Sequence, residues 1–592
     1  MEKHFSTVKY FIHNLKRTVK NENKLLSKKY NPSIREAFSD YIETFNDYQI
    51  SSEKEKLKYS LDNYIEALSF YVNESIFLQK ENELKNDFEF LKNILIKNNT
   101  NYKKIEITCS SILKKMQRIN IYKIGIDILK EAKVFNEADK ITTFFINEFI
   151  YDGYSLKFID EWLNKNILVY SKEFTTHNMD DYLEKIITLK QDKKKFTIYL
   201  SLYNKDNLIG EKKIIGSNLE LEKKERNLLR ENKELTDESL GFLQEAADHN
   251  IYKVDILALD YYKGLEILKN SISEYFQLIE YIELNPLNKN ISGKFILVKF
   301  DDCEEKLDFE KKDEFLLFSG IESREKEDIK DFIKFRDEML DRGIISENIS
   351  NIQRALNILR DTKEKSEENR LLNYWSVIEY ILTFHEGASI IGKVKDILPK
   401  LICLYYIKDK LNNFWFLILQ YEKRKNDFPI ISKFLNSCAK DDNKLQYDLV
   451  KLLNFINNNK QMISELSFND NLSREFARIG LFISNHENRK EQIEFIHKEV
   501  KFDLIRIYRT RNVLIHSGYQ TKTHINFKAL RLFQYNNQLL GVIIHYKKLN
   551  PNITIEEILS SIIQTYEHYI KIIENKTPNS LTEICKPQYL FL

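Results

Sequence analysis

The chain has 592 residues, 91 of them basic and 89 acidic, and 43% are hydrophobic. That length suits two to four domains, and the hydrophobic content excludes global disorder. Five scattered cysteines (Cys109, Cys303, Cys403, Cys438 and Cys585), with no CxxC and no Cys/His pairing, exclude a disulfide framework and a zinc site.

The N-terminal Met1-Glu2-Lys3-His4 leads into a charged amphipathic helix instead of an apolar signal segment. With 14 Gly and 7 Pro, the chain has little punctuation, which favours long helices over tight hairpins. Residues 1–190 read as nearly continuous helix, with Tyr10, Phe11, Asn14, Leu15 and Val19, then Tyr64, Ala67, Leu68, Tyr71 and Ile76, at helical spacing. Strand patterns appear at 196–202, 294–300 and 315–318, and a helical stretch over roughly 222–283 separates them. The Glu- and Lys-rich run 303–313 reads as a solvated loop or helix face. After Ser319-Gly320 the pattern is helical again. The longest apolar runs, such as 414–419, are far too short to span a bilayer. The expectation is a soluble, cytoplasmic, mainly α protein with no membrane partner. It has an all-α N-terminal region (1–190), a small α+β middle domain (191–345) and a C-terminal helical bundle (346–592).

The segment 509–518, Arg-Thr-Arg-Asn-Val-Leu-Ile-His-Ser-Gly, concentrates the chemistry. Between Asp503 and Glu556 there is no carboxylate, whereas eight Lys and Arg occur; without those eight the chain carries 83 basic residues against 89 acidic. A local basic field of this kind suits gripping a polyanion, and Arg506, Arg509, Lys522, Lys528 and Arg531 are its candidate backbone contacts. Ile493, Ile496, Val500, Leu504, Ile507, Tyr508 and Leu514 predict a helix over 489–516, with Gly518 as its stop. His516 then sits in the last turn, where the helix dipole favours the imidazolium. Asn512 shares its face, as does Arg509. Arg511 lies about 140° round the helix from His516, within reach only through its long side chain or across an interface with a second copy. Upstream, Glu379 is embedded among Val377, Ile378, Tyr380, Ile381 and Leu382, an expensive position for an unpaired acid, and Arg511 is a candidate partner.

These two signals resemble the HEPN superfamily, and in particular the HEPN-like domains of bacterial anti-phage (abortive infection) proteins. The upstream helix is similar over 371–379, and Arg511-Asn512-Val513-Leu514-Ile515-His516-Ser517-Gly518 matches the family's Arg-polar-x3-His pattern. The likeness covers about residues 346–580. It implies a HEPN-type helical bundle and a metal-independent endoribonuclease that needs no cofactor, with RNA, tRNA included, as substrate. Arg511, Asn512, His516 and Glu379 would form the catalytic set, built across a homodimer. Residues 1–345 would sense a phage-derived trigger. Arg509 also satisfies the spacing, so the choice of phosphate-binding arginine stays open at this point. The alternative is a non-catalytic HEPN module that binds nucleotide or RNA, or that scaffolds a complex.

One near-miss is set aside. Residues 387–394 almost spell a phosphate-binding loop, but Val394 stands where a Ser or Thr should hold magnesium, and the segment follows a helix instead of a strand.

Overall fold

Nine helices occupy the first part of the chain among the described residues: α1 (Glu2–Lys20), α2 (Ile34–Ile50), α3 (Lys54–Glu74), α4 (Lys85–Ile96), α5 (Tyr102–Arg118), α6 (Ile121–Glu131), α7 (Phe135–Asp152), α8 (Leu156–Asn166) and α9 (Met179–Ile187). The computed structural model describes residues 2–20, 32–50, 54–96, 101–132, 134–167, 178–189, 193–203, 213–215, 220–224, 249–268, 271, 296–300, 303–307, 347–362, 367–383, 389–421, 429–438, 449–459, 471–517, 525–550 and 552–576. The helix caps are local and chemical. Asn101 and Asn120 accept from the free backbone N–H groups that open α5 and α6. Gly153, at φ 99°, closes α7 in the left-handed conformation. The apolar stripes meet in one core that runs from Val8 to Leu189.

A six-stranded sheet follows, made of β1 (Lys194–Tyr203), β2 (Lys213–Ile215), β3 (Glu220–Lys224), β4 (His249–Ala258), β5 (Ile296–Phe300) and β6 (Cys303–Leu307), in the order β2-β3-β4-β1-β5-β6. Every neighbouring pair is antiparallel. Opposite one another on β1 and β4 stand Phe196 and Ile256, Ile198 and Val254, and Leu200 and Tyr252, all buried. The short helix over 261–268 covers this face. The backbone at Gly264 comes so close that an added Cβ would lie 3.8 Å from Ile198 and 3.9 Å from Phe196. Asp260 fastens the start of that helix to α8, because its carboxylate accepts from the Ser155 N–H at 2.7 Å and the Lys263 N–H at 2.8 Å.

Two expectations are corrected here. The stretch 222–283 is not uniformly helical, since β3 and β4 run through it. Tyr252, Val254, Ile256 and Ala258 point inward, while Asp255 and Leu257 are exposed, a period of two. Residues 303–307 are the edge strand β6 rather than a loop or helix face. The proposed strand at 315–318 lies outside the described residues.

The remaining described elements are helical: α10 (Glu347–Thr362), α11 (Glu367–Leu382), α12 (Ile390–Tyr421), α13 (Pro429–Ser437), α14 (Leu449–Asn458), α15 (Asn471–Ser484), α16 (His486–Ser517), α17 (Ile525–Leu549) and α18 (Ile555–Ile573). The chain is thus mainly α. The near-miss loop ends in the first turn of α12, with Val394 fully buried. Among the described residues, no helix is long and apolar enough to cross a membrane.

The helix α16 belongs to two cores at once. Ile493, Val500, Leu504 and Ile507 pack into the C-terminal core, and Phe502 and Ile505 pack into the N-terminal one. Positions two apart lie about 200° apart on a helix, so these are opposite faces. Phe70 of α3 bridges the junction, 5.4 Å from the Phe495 ring and 5.3 Å from the Phe502 ring. The N-terminal and C-terminal helical regions therefore join each other directly, although the sheet lies between them in sequence.

Candidate functional site

Two helices build the candidate site. The first, α11, is fixed through its buried face: the Asn536 amide of α17 donates to the Tyr374 carbonyl at 2.8 Å, and Trp375 lies 5.3 Å from the Tyr508 ring of α16. One turn further along both helices, Glu379 meets Arg511. The Arg511 Nη2 donates to Glu379 Oε2 at 3.3 Å, and its Nη1 donates to Asn512 Oδ1 at 3.0 Å. Both members of the pair are only partly buried, with 22% of the Arg511 side chain and 25% of the Glu379 side chain exposed. A guanidinium has five N–H donors, so Arg511 keeps donors for a further acceptor while its plane is held on two sides. The helix α16 continues to Ser517, which puts the His516 backbone in its last turn. The His516 side chain, Gly518 and Lys522 lie outside what the structure describes.

The other cations of the basic stretch occupy a different environment. Arg506 is fully buried, with its Nη2 2.6 Å from Glu36 Oε1 and its Nε 3.2 Å from Asp40 Oδ2. Arg509, one turn on, reaches Asp40 Oδ1 at 3.4 Å and Glu43 Oε2 at 3.1 Å. Lys528 donates to the Thr510 hydroxyl at 2.9 Å and lies 3.9 Å from Glu36. Arg531 donates to Asp503 at 3.1 Å, and the Tyr535 hydroxyl donates to the same oxygen at 2.8 Å. The expected RNA-contact role of Arg506, Arg509, Lys528 and Arg531 is therefore corrected. Their charges are matched inside the protein and their side chains are 7% exposed or less. A stretch without carboxylates in sequence is not without them in space.

Burial alone would raise the pKa of Asp40, but Lys528, Arg506, Arg509 and the Tyr64 hydroxyl outweigh it and hold the carboxyl at about 2. Burial disfavours the Arg506 cation, and Glu36 and Asp40 reverse that, leaving its pKa well above the ordinary value. Lys528 has no such surplus of acids, and burial pulls its pKa down.

The sequence reading missed the acids of α2. Glu36, Asp40, Glu43 and Asp47 recur at i, i+4, i+7 and i+11, which sets them within about 60° on one face. That stripe, beside the apolar Phe38, Tyr41 and Phe45, was the available signal of a cationic partner helix. Between the two arginines left open by the motif spacing, burial separates the roles. Arg509 is enclosed by carboxylates, and Arg511 is the one with surface access. Among the described residues no group of three or more His, Cys, Asp or Glu could hold a metal ion. Comparison with protein-family models, with curated proteins and with solved structures found no match.

Proposed function

We propose that the chain is a metal-independent endoribonuclease of HEPN type, working as a regulated anti-phage defence effector, with Arg511, Asn512, His516 and Glu379 as its site. The observation that carries this reading is the Glu379–Arg511–Asn512 arrangement, held one and a half turns before His516 at the half-exposed end of α16. RNA carries its own nucleophile, the 2′-hydroxyl beside the scissile phosphate. An imidazole near neutral pKa moves a proton from that hydroxyl or to the departing 5′-oxygen. The free donors of Arg511 bind the phosphate and stabilise the added charge of the pentacoordinate transition state, while Glu379 keeps the guanidinium aimed. The products are a 2′,3′-cyclic phosphate and a 5′-hydroxyl.

The offset of about 140° between Arg511 and His516 favours a cleft completed by a second copy. Ile515, 48% exposed on the same turn, supports such a contact. Residues 1–345 would read the trigger and restrain the enzyme.

The test is incubation of wild-type and His516→Ala protein with total RNA and a tRNA pool in EDTA, followed by mapping of the ends. Cleavage by wild type alone, leaving cyclic phosphates, supports the reading. Intact RNA with both proteins, in vitro and after phage infection of expressing cells, would reject it in favour of a binding module.

A further inference from the structure

We infer that Asp40, on α2 of the N-terminal helical region, is a positioning residue for the Arg511 site, acting through Arg506 and Arg509; this rests on the nuclease reading above. The geometry is a grip on α16 from two sides. Asp40 takes Arg506 on one carboxylate oxygen and Arg509 on the other. Those arginines are three residues apart, so one carboxylate fixes two points on the same face of α16, one turn apart. Two fixed points set both the rotation of a helix about its axis and its slide along it. Arg511 lies about 200° round from Arg509, on the opposite face, where Glu379 receives it. A rotation of α16 that loosened the Asp40 side would thus carry Arg511 away from Glu379.

The surroundings stiffen the grip. Asp40 also accepts from the Tyr64 hydroxyl of α3 at 2.9 Å, so its own position is fixed by a second N-terminal helix. Glu36 takes the far arm of Arg506, and Lys528 ties Thr510, the residue before Arg511, to α17. Arg506 and Asp40 are both essentially without solvent contact. With no water to substitute for the missing partner, the loss of the Asp40 charge is felt by the helix and not screened. This gives residues 2–187 a defined route to the site: a displacement of α2 moves the two arginines that precede Arg511.

The experiment compares Asp40→Asn with Glu66→Gln in the full chain. Glu66 pairs with Lys501 of the same helix at 2.8 Å, but at the exposed edge of the same junction, so it controls for mere weakening of the contact. Two readouts are taken, hydrogen exchange of the amides over 509–517 and steady-state RNA cleavage in EDTA. Asp40→Asn is expected to speed exchange over 509–517 at least about tenfold while leaving α18 as protected as in wild type. It should also lower kcat at least about tenfold with KM within about twofold. Glu66→Gln should do neither. Unchanged exchange over 509–517 in folded Asp40→Asn, or a uniform rise across all helices, would overturn the inference. Should Asp40→Asn not fold, Glu43→Gln, which removes the half-exposed partner of Arg509, carries the same test with a smaller effect of the same sign. If wild type cleaves no RNA in vitro or in phage-infected cells, the nuclease reading is what fails, and the exchange comparison still decides whether Asp40 holds the end of α16.

Discussion

Arg489 offers a sharp test of what holds the C-terminal helices together. Its side chain is fully buried, with no carboxylate among its hydrogen-bond partners. It donates instead to four backbone carbonyls: Phe482 at 3.3 Å and Ile483 at 2.6 Å at the end of α15, and Ile573 at 3.1 Å and Asn575 at 2.6 Å at the end of α18. The last carbonyls of a helix have no intrahelical donor and carry the negative end of its dipole, so one guanidinium closes two helix ends at once. Arg489→Met keeps most of the stem volume and removes all four bonds. Hydrogen bonds to a charged group contribute about 1.5–3 kcal/mol each, and a buried carbonyl left without a donor costs about 1–3 kcal/mol. Against this stands the desolvation of the guanidinium, which pulls its pKa down and which the substitution removes. Water reaching the freed carbonyls offsets part of the loss as well. The net is about 3–5 kcal/mol, among the large losses that follow when a buried hydrogen-bond network is broken. For a cooperative unit the size of the C-terminal region that lowers Tm by about 10 °C. Differential scanning calorimetry of wild type, Arg489→Met and Arg489→Lys is the assay. Lys carries three donors on a single atom and cannot span two helix ends, so it should fall between the other two. A Met variant melting within about 1 °C of wild type, or a Lys variant equal to wild type, would refute the reasoning.

Three further outcomes follow from the geometry. Glu379→Gln should lower the rate of RNA cleavage at least about tenfold by freeing Arg511, yet change stability by under about 1 kcal/mol because the pair is partly solvated; single-turnover kinetics and a urea titration measure the two effects separately. Acid titration should show two losses. Burial, then Lys9 and Lys16, hold His13 at about 4, below its ordinary 6.5, so the neutral ring's contribution is complete above pH 6.5 and disappears as pH falls toward 4. Asp40, depressed from 3.8 to about 2, contributes fully above its ordinary value and loses that contribution as pH falls through about 2; circular dichroism of His13→Gln should show only the lower step. Thr554→Ala removes the reciprocal capping box with Glu557 that opens α18, and should destabilise that helix by about 1 kcal/mol, read as faster exchange in its first turn.

What sequence could show was set by the distance over which the cause acts. The helix predicted over 489–516 is found as α16, because its period is local. The pairing of Glu379 with Arg511 was readable because an acid among Val377, Ile378 and Ile381 demands a cation, and the basic stretch that follows Asp503 offered Arg511. The strand β4 was legible as well, in the alternation of Tyr252, Val254, Ile256 and Ala258, but the charged residues around it favoured a helical reading of the whole stretch. The fate of Arg506 and Arg509 was harder to read, since the acid nearest them in sequence, Asp503, is taken by Arg531, and their own partners lie far along the chain. Their partners stand on α2, where the stripe of carboxylates signals a cationic partner helix without saying which helix it is.

That separation has a consequence for the birth of the molecule. Arg506 is joined to Glu36 across 470 residues. At a synthesis rate of about 5–20 residues per second, the acids of α2 wait roughly half a minute to a minute and a half before their cations leave the ribosome. During that interval the N-terminal helices carry hydrated carboxylates and an apolar seam that lacks Phe502 and Ile505. The helix bearing Arg511 enters this seam among the last segments to be made. A nascent chain released before that point therefore holds every buried residue of its first core except Phe502 and Ile505, so the N-terminal core is finished only when α16 arrives.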